Sequence, residues 1–521
     1  MSETERLKQA VNSAIAAGYQ LDKGAFELLT MVATTGNPLE IVNKAIRKLH
    51  DSSERPFFIE RSFLEQVLKE IESVGGVMTN EHGGSNENTT SPQISQVTEG
   101  KTLFYSYAKD IDSDVKILED PSTKLRSGGA IEDFLEYFHD RFKRMEKILR
   151  QRIDVKNAAS VMDALRAQPS AKLKIIGMIT EKRESKRRII LTVEDLQTSV
   201  TVLVPQNAPE EVQKKARMLL LDQVVCMAVI KTRSTLLIVE DIILPEIGQR
   251  SQHRAAVPAY AVLTSDIHVG SMKFQREAFN RFILWLNGKH GNERMREMAS
   301  HVKYVLIAGD IVDGVGIYPN QVRELALKDV HKQYHLAAKY IEQIPDYIEV
   351  VVIPGNHDAT RKAAPQPAIA DAFLETLQES RKVYSLGNPC LVSIHNVEVL
   401  MDHGRSLDDV ISTVPGMSHN NPERAMRLLL QGRHLAPVYG GKTMLAPGNR
   451  DFLVIEHIPD IFHSGHVHTL GYTNYRGVLL VNSGGWQTQT EYMRRLGLVP
   501  TPGRVPVINL QTLEVNVAAF D

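Results

Sequence analysis

From residue 257 onward the chain runs through six β-type apolar stretches separated by helical ones, and nearly every stretch stops in a turn carrying Asp, Asn or His. The alternation demands α/β layering. In open α/β sheets, ligands bind beyond the carboxyl ends of the strands. The same feature therefore constrains the fold and locates a site. In order, the strand ends supply Asp266 and His268 ("SDIHVG"), Asp310 ("AGDIVDG"), Asn356 and His357 ("PGNHD"), His403 ("MDHG"), then His466 and His468 ("GHVH"). Each motif alone is ordinary turn chemistry. Together they form an oxygen and imidazole set with no thiolate, which suits Mn²⁺, Fe²⁺, Zn²⁺ or Ni²⁺ better than Mg²⁺. There are too many donors for one tetrahedral ion and enough for two ions sharing a carboxylate. Two ions roughly 3.5–4 Å apart clamp the attacking and leaving oxygens of an in-line displacement and acidify the water between them.

The rest of the chain has a different character. With 521 residues, two to four domains are expected. Residues 1–74 show apolar spacing near 3.6 and predict a helical module, with Ser2 capping the first helix and Gly18 stopping it. Residues 75–128 are expected to be a flexible linker, because "GGVMTNEHGGSNENTTSPQISQVTEGK" has almost no apolar content to repay ordering. Residues 129–250 open with an amphipathic helix, "AIEDFLEYFHDRFKRMEKILR". Five strand-like runs follow, with a helical segment between the third and fourth. That is the order of an OB-fold β-barrel, a frequent binder of single-stranded nucleic acid. The alternative is a plain small barrel serving as a spacer or contact surface. Residues 257–521 are the α/β region.

Bulk properties exclude several classes. The two cysteines, Cys226 and Cys390, cannot make a disulfide framework or a Cys-rich zinc site, and they fit a reducing cytoplasm. The net charge of −1 does not advertise nucleic-acid binding. No signal peptide or membrane span is expected from the apolar runs.

The motif order D-x-H, G-D, G-N-H-D, H-G, G-H-x-H resembles the calcineurin-like metallophosphoesterase superfamily over about residues 257–490. The resemblance implies an α/β metallophosphoesterase domain, a two-sheet β-sandwich flanked by helices. It implies a first ion on Asp266, His268, Asp310 and His468, and a second on Asp310, Asn356, His403 and His466. His357 would be the catalytic imidazole facing the substrate phosphate. A barrel directly ahead of such a domain is similar to the B-subunit family of replicative DNA polymerases, whose eukaryotic members have largely lost the ligands. Every ligand position is present in this chain. "GDIVDGVGIYPNQ", "PGNHDATRKAAPQPAI", "DHGRSLDDVI" and "GHVHTLGYTNYRGVLLVNSGGWQTQTEYM" resemble the archaeal D-family small subunits in particular.

That likeness implies a 3′→5′ exonuclease on single-stranded or mispaired DNA ends, with two divalent ions, Mn²⁺ first and Fe²⁺ or Zn²⁺ as alternatives. It implies proofreading for a separate large catalytic subunit, since this chain shows no polymerase motif. The competing readings are a stand-alone phosphodiesterase on nucleotides and a non-catalytic polymerase scaffold.

Around the ligands, Arg361 and Arg405 are candidate phosphate contacts, each equally readable as a structural ion pair. Trp486 and Tyr492 are candidates for base stacking or for core and interface positions. Asp358 and Asp402 are expected to orient imidazoles, His463 to be structural or to support the ligands, and Asp313 to be a turn residue. His395 is read as exposed or packed. Gly309, Gly355 and Gly465 are expected to let backbone pass close to the ions.

Overall fold

In the computed structural model, residues 3–17, 19–51, 58–74, 104–125, 128–186 and 188–521 are described. They belong to two units, Met1–Leu103 and Phe104–Asp521. Ser2, Gly18 and the expected linker through residue 103 lie outside the described residues.

The first unit contains the helices α1 (Glu3–Ala16), α2 (Lys23–Thr35), α3 (Pro38–Asp51) and α4 (Arg61–Val74). Two short strands, β1 (Gln20–Leu21) and β2 (Phe58–Ile59), pair in parallel. The Asp22 carboxylate caps α2 by accepting from the Ala25 amide at 2.6 Å. Apolar residues at helical spacing, among them Ala10, Ala14, Leu29, Val42, Ala45, Leu64 and Val67, close one core.

In the second unit the expected linker is corrected from residue 104 on. Strand β3 (Val115–Glu119) joins the edge of a sheet by pairing Ile117 with Val392. Its residues are mostly exposed, so backbone hydrogen bonds hold it and no buried face shows in its sequence. Helix α5 (Ile131–Arg150) follows, and its Phe142, Met145 and Leu149 pack on Ile176, Met178 and Cys226. After α6 (Val161–Arg166) come the strands β4 (Lys172–Ser185), β5 (Arg188–Glu194), β6 (Ser199–Val204), β7 (Val224–Lys231) and β8 (Leu237–Ile243). They close a barrel in the order β4-β5-β6-β8-β7, with α7 (Glu210–Met218) between β6 and β7. Alternate residues of β5 and β6 point inward, as period-2 patterning requires. At Gly177 a Cβ would lie 2.2 Å from Val193 Cγ1, so only glycine lets β4 cross β5 that closely.

The α/β region is two six-stranded sheets. In the first, β9 (Tyr260–Thr264), β10 (Val302–Ala308), β11 (Glu349–Ile353) and β12 (Val383–Ser385) run parallel, and β18 (Arg504–Asn509) and β19 (Val515–Ala519) complete it antiparallel. The second orders β16 (Gly471–Tyr475), β17 (Val478–Asn482), β15 (Ile461–Ser464), β14 (Val397–Met401), β13 (Cys390–Ile394) and β3. Leu263, Leu306 and Val351 of one sheet meet Val392, Val399, Ile461 and Val481 of the other in a shared core. Helices α12 (Leu407–Thr413) and α13 (Pro422–Gly432) pack on the outer face of the second sheet. Helices α8 (Arg276–Leu286), α9 (Glu293–Ser300), α10 (Val330–Ile341), α11 (Asp371–Ser380) and the short α14 (Glu491–Arg495) make up the remainder. Strand β10 is buried along its whole length, which is why it reads as a continuous apolar run. Among the described residues, no helix is long and apolar enough to cross a membrane.

Candidate metal centre

Strands β9, β10, β11, β14 and β15 all present their carboxyl ends to one place, and the five sequence motifs are the turns that follow them. The turns lock onto one another through backbone hydrogen bonds. Asp266 N donates to Gly309 O at 2.9 Å, His268 N to Asp310 O at 3.0 Å, and Gly465 N to His403 O at 2.9 Å. Asp266, His268, Asp310, His466 and His468 all sit at φ between 50° and 68°, the left-handed region. Non-glycine residues there cost on the order of 1–3 kcal/mol each, and such outliers cluster at functional sites. The glycines are required by close approach: a Cβ on Gly355 would stand 2.1 Å from Asp310 Oδ1.

These turns bring the sequence-predicted ligands together in two overlapping sets. In the first, His468 Nε2 is 3.4 Å and His268 Nε2 3.8 Å from Asp266 Oδ1, and the two imidazole nitrogens are 3.1 Å apart. In the second, His403 Nε2 lies 3.4 Å from Asp310 Oδ2 and 3.0 Å from Asn356 Oδ1. His466 joins Asp310 and His403 within 4.8 Å. Asp310 stands between the sets, since its Oδ2 is also 3.7 Å from His268 Nε2. The donor chemistry fits divalent ions. Asp266 Oδ1 is fully buried with no hydrogen-bond partner, which leaves its lone pairs free for a divalent ion.

The tautomers are set from behind. His268 Nδ1 donates to Asp313 Oδ1 at 2.9 Å and His403 Nδ1 to the Ala308 carbonyl at 2.8 Å, leaving both Nε2 atoms facing inward. His357 Nδ1 donates to the Asp313 carbonyl at 2.7 Å, and its Nε2 is 4.0 Å from Asp310 Oδ2. The surrounding carboxylates and burial set the charges. Burial opposes ionisation of Asp310, but His403 and His357 override it and hold the carboxyl far below the usual range. Burial likewise works against a charged His403, yet Asp310 lifts it to about 10. His268 rises to about 9 on Asp313 and Asp310 against the same penalty. For His357 burial wins and lowers the imidazole to about 4.

Asp313, expected as a turn residue, is corrected. It is fully buried, orients two imidazoles, and also accepts from Gln321 at 3.2 Å and Gln487 at 3.2 Å. Asp358 does not orient an imidazole: it accepts from the Gly355 amide at 2.8 Å and the Tyr334 hydroxyl at 3.0 Å, shaping the turn instead. Asp402 is buried, which pushes its carboxyl up to about 7. His463 reaches Asp266 through two serines. Its Nε2 is 3.0 Å from Ser483 Oγ, which bonds Ser265, which bonds Asp266. His395 packs edge-on against Tyr304.

The two arginines part company. Arg361 Nε donates to the Pro365 carbonyl at 2.8 Å, bracing its own loop. Arg405 reaches the site: Nη1 is 3.4 Å from His466 Nε2 and 3.5 Å from Asp408 Oδ2, with its side chain 39% exposed. Of the two readings open for Trp486, the structure selects the core position. It is fully buried, packs on Phe279 and Phe282, and donates from Nε1 to Thr264 at 2.8 Å. Tyr492 is exposed. Sequence reasoning missed Asp408, whose two oxygens meet His466 at 3.3 Å and His419 at 3.2 Å. It also missed Lys362, whose ammonium pins the Asn356 and Asp358 carbonyls.

A separate cluster of His253, Glu398 and Asp460 lies near the starts of β14 and β15. Asp460 is already filled there by Arg250 at 3.0 Å and by two backbone amides, so it reads as structural.

The family of B subunits of DNA polymerases alpha and epsilon matches residues 261–469. The DNA polymerase II small subunit of Archaeoglobus fulgidus is 35% identical, over 95% of this chain and 94% of its own length. That of Methanothermobacter thermautotrophicus is 39% identical, over 76% of this chain and 82% of its own. Among solved structures, one described as a novel archaeal phosphodiesterase covers 50% of this chain and 98% of its own at 13% identity, with a TM-score of 0.25, too low to bear on the fold.

Proposed function

The chain belongs to the family of archaeal DNA polymerase II small subunits, and from that premise we propose that it is a metal-dependent 3′→5′ exonuclease proofreading for a large catalytic polymerase subunit. The observation that carries the reading is the pair of ligand sets sharing Asp310. On this reading the two-sheet region is a calcineurin-like metallophosphoesterase domain and the barrel is an OB-fold. Asp266, His268, Asp310 and His468 would hold one divalent ion, and Asp310, Asn356, His403 and His466 the other, with Mn²⁺ first and Fe²⁺ or Zn²⁺ as alternatives. When bound, the ions supply an ionised water and neutralise charge on the phosphate.

The chain's own groups do the rest. Asp266 and Asp310 are 0–1% exposed, whereas the His357 and His466 side chains are 14% and 11% exposed, so substrate enters over the two histidines. Arg405 stands on that open side to meet a phosphate oxygen. His357 is fixed through Nδ1 to the Asp313 carbonyl, which leaves Nε2 free to face the phosphodiester. An anionic phosphate beside Nε2 favours the imidazolium. Its proton is then placed for the departing 3′-oxygen, releasing a nucleoside 5′-monophosphate.

The test is digestion of a 5′-labelled single-stranded oligonucleotide by the full-length chain with Mn²⁺, beside His357→Ala. A ladder shortening from the 3′ end, slowed ~10²–10⁴-fold in the variant, is expected. Absence of cleavage both alone and with the large subunit would remove the nuclease reading in favour of a scaffold.

A further inference from the structure

Beside His357 the surface departs from what a bare phosphodiesterase needs. The Tyr318 ring lies 6.2 Å from the His357 ring, and the Tyr492 ring lies 6.4 Å from that of Tyr318 at 30° to it. Tyr318 is half-buried, but Tyr492 is 57% exposed at the start of α14. Single exposed aromatics need no explanation. This pair is built, however. The Tyr318 hydroxyl donates to Glu324 Oε2 at 2.8 Å, and Glu324 Oε1 accepts from the Glu491 amide at 3.4 Å, so one carboxylate ties both aromatic segments together. Gln321 accepts from the Ile317 amide at 2.9 Å and donates to the Asp313 carbonyl at 2.8 Å. The loop carrying Tyr318 is thus held by the residue that orients His268 and His357.

We propose that Tyr492, backed by Tyr318, is the platform on which the 3′-terminal base stacks, so that the site selects a nucleotide end over a bare phosphodiester. The inference rests on the exonuclease reading and adds the element that recognises the substrate. A nucleotide whose phosphate faces His357 carries its base beyond the sugar, toward the line of rings. Stacking suits an enzyme that must accept every base, because each has a π-face. It also suits a chain whose net charge of −1 offers no bulk attraction to DNA.

The experiment uses the full-length chain with Mn²⁺ on two single-stranded oligonucleotides, one ending in an ordinary 3′ nucleotide and one in a 3′ abasic tetrahydrofuran residue. On the ordinary end Tyr492→Ala should raise KM about tenfold with kcat within about twofold, as loss of one base–aromatic stack requires. Tyr492→Phe should restore the wild-type KM. On the abasic end, wild type and Tyr492→Ala should be alike. A KM within about twofold of wild type on the ordinary end, or an equal penalty on both ends, overturns the platform while leaving the nuclease standing. Failure of the wild-type chain to degrade either oligonucleotide, both alone and with the large subunit, overturns the exonuclease reading, and the platform with it.

Discussion

Asp313 offers the sharpest single perturbation, because its side chain and its backbone serve different imidazoles. Oδ1 accepts from His268 Nδ1 at 2.9 Å, whereas His357 Nδ1 uses the backbone carbonyl at 2.7 Å and stands 3.9 Å from the carboxylate. Asp313→Asn keeps the shape, the carbonyl and an acceptor for His268, but removes the charge and replaces the oxygen that accepts from Gln321 with a donor. A charge-assisted hydrogen bond contributes about 1.5–3 kcal/mol, and loss of a carboxylate behind a ligating histidine typically lowers metal affinity ~10–100-fold. Since the amide oxygen still accepts, the low end applies. The expected result is Mn²⁺ affinity about tenfold weaker by isothermal titration of the stripped chain. At saturating Mn²⁺, kcat should remain within a factor of about three, because His357 keeps its anchor. Asp313→Ala also removes the acceptor for His268 and Gln487 and should fall nearer a 100-fold loss of affinity. An Asn variant that binds Mn²⁺ as wild type does, or whose kcat collapses at saturating metal as in His357→Ala, would refute the division of labour.

Three other perturbations follow from the same geometry. Arg141 is wholly buried against Asp451 at 2.7 Å, so Arg141→Ala should cost about 3–5 kcal/mol by removing the guanidinium that balances that buried carboxylate and leaving it to His434 and a backbone amide. Urea unfolding followed by the fluorescence of the buried Trp285 and Trp486 measures it, and Arg141→Met with Asp451→Leu should recover most of the loss. His434 is held neutral, lowered to about 4 first by burial and then by Arg141. The unfolded chain therefore takes up the proton first as pH falls from about 6.5 to 4, and stability should drop across that window by on the order of 3 kcal/mol. His434→Gln should remove that part of the pH dependence in the same unfolding assay. Gly355→Ala would drive a Cβ to 2.1 Å from Asp310 Oδ1; Mn²⁺ binding should be lost, with the far-ultraviolet circular dichroism unchanged.

The convergence of the five motifs was legible in the sequence because each is bound to a strand end, where backbone geometry leaves little choice of direction. The barrel's five strands were legible from alternation, and the helices of the first unit from 3.6 spacing. What escaped had no periodic signature. Strand β3 is an edge strand with four of its five residues exposed, so nothing in "VKILE" separates it from linker. Asp313 looks like a turn residue because it occupies one; its role comes from His268, 45 positions earlier in the chain. The "GDIVDG" spacing, a second acid three residues after Asp310, was the available signal. Asp408 meets His466 across 58 positions for the same reason. In the sequence Trp486 is open between base stacking and the core because it follows a Gly-Gly turn; its amide bonds the Asp266 carbonyl and its ring fills the space against Phe279 and Phe282. Arg361 comes three residues after the Gly-Asn-His-Asp turn, yet the chain bends back and the Pro365 carbonyl takes its guanidinium.

Counting the ions tests the account most directly. The chain is stripped with chelator, loaded with Mn²⁺, and its bound metal measured by inductively coupled plasma mass spectrometry beside Asp310→Asn. The account predicts two ions per chain and loss of both in the variant, because Asp310 is shared between the sets. No bound metal, or a full complement undisturbed by Asp310→Asn, would contradict it.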